Sequence, residues 1–66
     1  MKQLIGSSCR ITISLNNSNL QYTVQKVLEV TDKHITFLDK FGGIYVYLIS
    51  NIVQIQDIKQ GVEKWQ

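Results

Sequence analysis

Hydrophobic and polar residues alternate through almost the whole chain, and short clusters of turn-forming residues interrupt the alternation. Because successive side chains of a β-strand point to opposite faces, a period of two indicates half-buried strands. Many of the apolar positions hold β-branched or aromatic residues, which favour strands. The pattern predicts five strands, at residues 11–15, 20–30, 35–37, 44–49 and 52–58.

The second predicted strand is long and changes its buried face part-way along. Leu20, Tyr22 and Val24 hold one face, whereas Lys26 interrupts that face and Val27 is apolar on the other. A β-bulge, one extra residue in one strand of a pair, bends the strand and shifts its side chains in this way. We therefore expect a bend or bulge near Lys26.

The connections between the predicted strands are short and rich in turn residues, at 16–19, 31–33 and 39–43. With no proline and no room for a crossover helix, consecutive strands are expected to pair antiparallel. The expected fold is all-β, a small, five-stranded, strongly bent antiparallel barrel. We expect a single domain over residues 1–66, with a short N-terminal segment (1–8), the barrel (9–58) and a polar tail (59–66).

A barrel of only five strands leaves an edge at strands four and five. The region from Tyr45 to Ile58 is hydrophobic and lightly charged, and an unprotected edge of this kind pairs readily with another chain. The core of a 66-residue chain supplies only a few kcal/mol. A single cysteine excludes an intramolecular disulfide, and no spacing of Cys and His fits a structural zinc site. Oligomerisation is therefore the expected source of further stability.

Composition and charge narrow the function classes. One histidine, one cysteine and five carboxylates offer no catalytic triad, carboxylate pair or metal cluster, so we expect a binding protein without a cofactor rather than an enzyme. The net charge of +2 names no partner by itself. The chain shows neither a secretion signal nor an apolar run of about 18 residues that could span a membrane. Cys9, expected to be a small buried side chain, suits a reducing compartment. We expect a cytoplasmic protein with no membrane partner.

Two segments resemble the motifs of a known family. From Lys26 to Ile35, KVLEVTDKHI, a bent apolar strand runs into an aspartate that is followed two positions later by a ring side chain. From Tyr45 to Val53, YVYLISNIV matches the spacing of a Tyr-Lys-His-Ala-Ile-Ser-Thr run. Together they resemble the two motifs of the Sm-like RNA-binding family, and within it the bacterial Hfq branch most of all. Lys26 replaces a glycine of that family, and Val46 and Tyr47 replace the lysine and histidine of the second motif, so the chain resembles a divergent Hfq-type protein.

The resemblance implies an RNA-binding site at the pore of a ring. His34 stands where an aromatic residue of the family stacks on a base, and an imidazole ring can stack in the same way. Asp32 takes the place of the aspartate that orders this loop, and Lys33 is placed to meet a phosphate. Ser50 and Asn51 precede the last strand, in the loop that approaches RNA in the family. Each of the five also has a plain interpretation, as a turn residue or a solvated side chain.

The same resemblance implies a homo-oligomeric ring, a hexamer or heptamer of Sm-like barrels that binds single-stranded RNA. Strand four of one subunit would pair with strand five of the next, with Tyr45, Tyr47 and Ile55 at the interface. The two tyrosines share one face of strand four, which suits a base-stacking platform as well. The competing hypothesis is an SH3-like structural or protein-interaction module without nucleic-acid binding. The sequence leaves open whether Phe41 and Trp65 cover an exposed patch or contact a neighbour.

Overall fold

Five strands and two single turns of 3-10 helix make up residues 2–57, the part of the chain that the structure, a computed structural model, describes. In chain order the elements are η1 (Lys2–Leu4), β1 (Cys9–Leu15), β2 (Ser18–Val30), β3 (His34–Asp39), β4 (Ile44–Leu48), η2 (Ile49–Asn51) and β5 (Ile52–Asp57). The alternation of the sequence thus predicts all five strands to within two residues at each described end. Ile58 and the expected polar tail at 59–66, with Trp65, lie outside the described residues.

The strands form one antiparallel sheet in the order β4-β3-β2-β1-β5. The all-β, five-stranded antiparallel prediction is confirmed. The closed barrel is not: β4 and β5 are the two edges of an open sheet, and over residues 2–57 they form no ladder with each other. A hairpin between them would need a reversing turn. Instead, the extended residues Leu48 and Ile52 flank η2, which passes the chain from one edge to the other.

The long strand β2 bends as expected. Its register against β3 shifts between Val24 and Lys26, and again between Val27 and Glu29. The first shift confirms the predicted bulge near Lys26, and the second was not foreseen. Together they bring a valine inward at every third position, since Val24, Val27 and Val30 are all buried.

The link between β4 and β5 shows how strongly the sheet bends. Four strand spacings, or about 19 Å, separate the edges of a flat five-stranded sheet. η2 contains only three residues, and a 3-10 helix rises about 2 Å per residue. A link this short joins the two edges only if the sheet curls until they approach each other. The strong bend is therefore present, although the barrel is open.

The inward face of the curled sheet carries the hydrophobic core. Its buried members come from η1 and from four of the strands, all but β4. They are Leu4, Cys9, Ile11, Ile13, Val24, Val27, Val30, Ile35, Phe37 and Ile55. Cys9 is buried, as the sequence predicts. Five side chains pack against this core from its margin: Leu15, Tyr22, Tyr47, Ile49 and Ile52.

The N-terminal segment takes over the edge of β2 where β1 begins. The pairing of β1 with β2 ends at Cys9 opposite Val24. Beyond it, Gly6 N donates to Val27 O (2.7 Å) and Val27 N donates to Ser7 O (3.0 Å). Residues 6 and 7 therefore satisfy backbone groups that the short β1 would leave without a strand partner.

A buried carboxylate organises the turn between β3 and β4. Asp39 is 6% exposed, and its Oδ1 accepts hydrogen bonds from the backbone N–H groups of Phe41 (3.0 Å) and Gly43 (2.9 Å). Gly42 N donates to Asp39 O, and Asp39 N donates to Gly43 O. Gly42 has a φ of +88°, a left-handed conformation that glycine adopts at little cost.

Gly43 contributes to close packing rather than to an unusual backbone angle. A Cβ atom at this position would lie 3.0 Å from Cε2 of Tyr45. The missing side chain therefore makes room for the Tyr45 ring beside the turn.

Replacement of Asp39 by alanine should lower the free energy of unfolding by about 1–3 kcal/mol, because two backbone donors of the turn lose their charged, buried acceptor. Asp39→Asn keeps a carbonyl oxygen in place and should lose less. Urea denaturation followed by circular dichroism, at matched protein concentration, measures both changes. Asp32→Ala, on the exposed β2–β3 turn, is the control and should change stability by less than about 0.5 kcal/mol. An Asp39→Ala variant as stable as the parent would show that the carboxylate does not organise the turn.

Candidate nucleic-acid interface

The turn between β2 and β3 is built by a threonine that the sequence analysis did not single out. Thr31 Oγ1 accepts a hydrogen bond from His34 N (2.9 Å), and Thr31 N donates to His34 O (2.9 Å). A threonine hydroxyl that binds the backbone a few residues on is a recognised turn signal. Asp32, Lys33 and His34 are exposed around this turn, so their side chains are presented to solvent by a fixed backbone.

A backbone hydrogen bond joins this turn to η2. Ile49 N donates to Lys33 O at 2.7 Å, and His34 lies opposite Leu48 in the β3–β4 ladder. Residues 36–44 separate the two segments that resemble the family motifs. The pairing of β3 with β4, which this bond continues by one residue, places them side by side.

The two segments enclose an open cleft of about 310 Å³, lined by Asp32, Lys33, Leu48, Ile49 and Ser50. Three of the five predicted RNA-binding residues therefore meet at one place. The other two, His34 and Asn51, adjoin the cleft in sequence without lining it. Its lining combines three polar residues with two aliphatic ones, and a few polar residues on an apolar surface are typical of small-ligand sites.

The predicted interface tyrosines lie on the inward face of β4, within an aromatic cluster. Tyr45 is paired in register with Phe37, and Tyr47 with Ile35. The ring centroids of Tyr22 lie 4.9 Å from Tyr45, 5.3 Å from Phe37 and 5.5 Å from Tyr47. These are favourable distances for aromatic pairs. The alternation in the sequence places Tyr22 on the inward row of β2 but carries no sign that it would contact β4.

The hydroxyl groups of Tyr22 and Tyr47 form a hydrogen bond with each other. This bond to Tyr47, followed by desolvation and by the nearby charges of Tyr47, Tyr45 and Asp39, raises the pKa of Tyr22 from 10.0 to about 12. The cluster therefore favours the neutral phenol, which both fills space among the rings and supplies the hydrogen bond.

The outward face of β4 is also apolar, and it is the more exposed one. Ile44, Val46 and Leu48 are all exposed, Val46 by 57%. On the opposite edge, Val53 of β5 is 60% exposed, whereas the predicted interface residue Ile55 is only 7% exposed and belongs to the core. The interface role of Tyr45, Tyr47 and Ile55 stays a prediction, and the structure adds Val46 and Val53 as the exposed side chains of the two edges.

Within residues 2–57, no group of three or more His, Cys, Asp or Glu side chains is arranged to hold a metal ion. No helix in that part of the chain has the length and hydrophobicity needed to cross a membrane.

Comparison of the chain with family models, with curated proteins and with solved structures gave no match.

The stability of the fold should fall as the pH rises from 10 towards 12, because Tyr22 keeps its proton in the folded chain over a range in which the unfolded chain has lost it. Below pH 10 both states are protonated, and the contribution of this group to stability is constant. Urea denaturation of the parent and of Tyr22→Phe at pH 8 and pH 11 isolates the effect. The loss of stability between the two pH values should be smaller in Tyr22→Phe.

Tyr45→Phe is the matched control, since it removes a hydroxyl from the same cluster and leaves the Tyr22–Tyr47 hydrogen bond in place. An equal loss in the parent and in Tyr22→Phe would exclude the hydrogen-bonded pair as the source.

Proposed function

We propose that this chain is an Sm-like subunit of a closed homo-oligomeric ring, which binds single-stranded RNA around its pore and has no catalytic role. The observation that carries the proposal is the cleft in which Asp32 and Lys33 of one loop meet Ser50 of the other. In this proposal the barrel is completed by neighbouring subunits, and the protein acts in the cytoplasm.

Ring assembly is supported by the two edges of the sheet. β4 and β5 each have one side with no strand partner among residues 2–57, and free strand edges pair with other chains. The curl of the sheet brings the two edges to nearby positions, so that β4 of one copy can pair with β5 of the next and repeat the contact around an axis. Such a head-to-tail contact forms a ring when the rotation closes.

RNA binding is supported by the chemistry around the cleft. Lys33 supplies a cation for a phosphate, Leu48 and Ile49 supply an apolar surface for a base, and Ser50 supplies a hydroxyl for its edge. His34, exposed at the start of β3, supplies a ring for stacking. One subunit offers few contacts, but a ring repeats them, and avidity multiplies weak contacts.

The alternative is an SH3-like structural or protein-interaction module, and one observation favours it. Ile44, Val46 and Leu48 form an exposed apolar row on an edge strand, next to Leu38 of β3, which lies opposite Ile44. A partner strand added at β4 would satisfy the backbone of the edge, and its side chains would cover this row.

The purified chain should have about six or seven times the 7.6 kDa mass of one subunit in solution, as light scattering at micromolar concentration would measure. Val46→Lys and Val53→Lys should each lower that mass, because an unpaired ammonium would enter every interface. Both side chains are exposed in the single chain, so the substitutions should leave the subunit folded. Ser18→Lys, at the exposed β1–β2 turn, is the control and should keep the parent mass.

A monodisperse monomer would contradict the ring and favour the interaction module. Unchanged masses for both valine variants would mean that the subunits meet through other surfaces.

Single-stranded RNA should bind weakly to the parent, and His34→Ala should weaken the binding by at least about fivefold, the lower end of the stacking contribution per base. Only the backbone of His34 holds the turn, so truncation of its side chain should preserve the turn. Lys33→Ala should reduce the dependence of affinity on salt by about one phosphate contact. Fluorescence anisotropy with labelled oligo(U) and oligo(A), at low and moderate salt, measures these effects.

Asp32→Ala is the charge control. It removes a negative charge from the same cleft and keeps the His34 ring, so its affinity shows how far charge alone governs RNA binding. The absence of binding at low salt, or parent-like affinity in His34→Ala, would refute stacking at the pore.

A further inference from the structure

Phe41 is the most exposed large hydrophobic side chain of the described residues, at 83%. It lies at the tip of the β3–β4 turn, before β4, whereas the cleft lies after β4. The length of this five-residue strand, roughly 14 Å, separates the two places. Among the described residues, its ring belongs to neither the hydrophobic core nor the aromatic cluster.

The turn that carries Phe41 is held firmly, which distinguishes it from a loose loop that happens to contain an aromatic residue. Asp39 Oδ1 accepts a hydrogen bond from Phe41 N itself (3.0 Å). Lys40 N donates to Thr23 O (2.9 Å), which ties the turn to β2. A ring on a fixed backbone loses little conformational entropy when it contacts a ligand.

Cations surround this turn. The Lys40 ammonium lies over one face of the Phe41 ring, 5.1 Å from its centroid. Arg10 of β1 lies opposite Thr23 of β2. The carbonyl of Thr23 accepts the hydrogen bond from Lys40 N. Arg10 and Lys40 are therefore the neighbours of Thr23 on its two sides, in one row across the sheet. Arg10 is exposed between the buried Cys9 and Ile11, on the outward face of the sheet.

A third cation lies in the next row. Lys26, exposed at the β2 bulge, is registered with Leu38, two residues before Lys40. Three of the five lysine and arginine side chains in residues 2–57 are thus grouped at this end of the sheet. The carboxylate of the turn, Asp39, is buried and already bound by two N–H groups, and Glu29 lies further along β2, opposite Thr36.

We propose that Phe41, with Lys40, Arg10 and Lys26, forms a second contact site for single-stranded nucleic acid, separate from the cleft. A base stacks on the face of the Phe41 ring that Lys40 leaves to solvent, and the cations bind the adjacent phosphates. An exposed aromatic ring among cations is the usual construction of a sequence-tolerant single-strand site. Charge complementarity favours this ligand over an apolar protein surface, which would gain nothing from three cations.

The test measures the affinity of the full chain for labelled oligo(U), for oligo(dT) and for an abasic strand of equal length, by fluorescence anisotropy. Phe41→Ala should weaken oligo(U) and oligo(dT) binding by at least about fivefold, without loss of secondary structure by circular dichroism. Phe41→Leu should be as weak as Phe41→Ala, because leucine keeps an apolar side chain but cannot stack. The abasic strand should bind the parent no better than it binds Phe41→Ala. Lys40→Gln and Arg10→Gln should each lower the slope of log affinity against log salt by about 0.7, the value for one single-strand phosphate.

Parent-like affinity in Phe41→Ala would overturn the proposal, and parent-like affinity in Phe41→Leu would mean that the ring makes an apolar contact instead. The variants His34→Ala and Lys33→Ala, measured beside these, separate the two sites. Loss only in the His34 and Lys33 variants would leave the cleft as the RNA site and refute the Phe41 site. Loss of affinity only in the Phe41, Lys40 and Arg10 variants would place the RNA site at Phe41 and refute the cleft.

Discussion

A single sheet can enclose a hydrophobic core only by bending, and the bend of β2 is the constraint on which the rest of this structure depends. The bulges at Lys26 and Glu29 turn three valines inward at every third residue. Where the bent strand outruns β1, the backbone of residues 6–7 takes the place of the missing partner. The two bulges and the hydrogen bonds of residues 6–7 are local features. Together they let a 66-residue chain without a disulfide form a buried core.

The candidate site depends on the pairing of β3 with β4 and on η2. The ladder ends with His34 opposite Leu48, and the bond from Ile49 N to Lys33 O continues it by one residue. The first residues of η2 therefore adjoin the β2–β3 turn. From this point the three residues of η2 lead to β5, which they can reach because the curled edges approach each other. The edges stay free because η2 does not reverse the chain into a hairpin. The cleft and the two free edges, on which recognition and assembly depend as proposed, thus meet at η2.

The alternation of hydrophobic and polar residues predicts the five strands and the bulge at Lys26. Both the alternation and the point at which it is interrupted are properties of neighbouring residues in the sequence. The alternation fails at β4, which is apolar on both faces. The pattern therefore cannot tell that Tyr45 and Tyr47 point inward and that Ile44, Val46 and Leu48 point out. The burial of Ile55 and the openness of the barrel depend on how distant strands are placed, which no local period contains. Thr31 falls within the predicted connection at 31–33, but composition does not show that its hydroxyl closes the turn, since Asp32 is an equally good acceptor for backbone N–H groups.

The close contact between Gly43 and Tyr45 also limits how the sequence can vary. A Cβ atom at position 43 would lie 3.0 Å from the Tyr45 ring, which would then have to shift by a few tenths of an ångström. The Tyr22 ring, 4.9 Å away, would feel that shift. The two positions are therefore coupled: a larger residue at 43 is accommodated most easily with a smaller one at 45. Among relatives that share this turn, positions 43 and 45 are expected to covary, and that covariation would record in sequence a contact that no alternation pattern reveals.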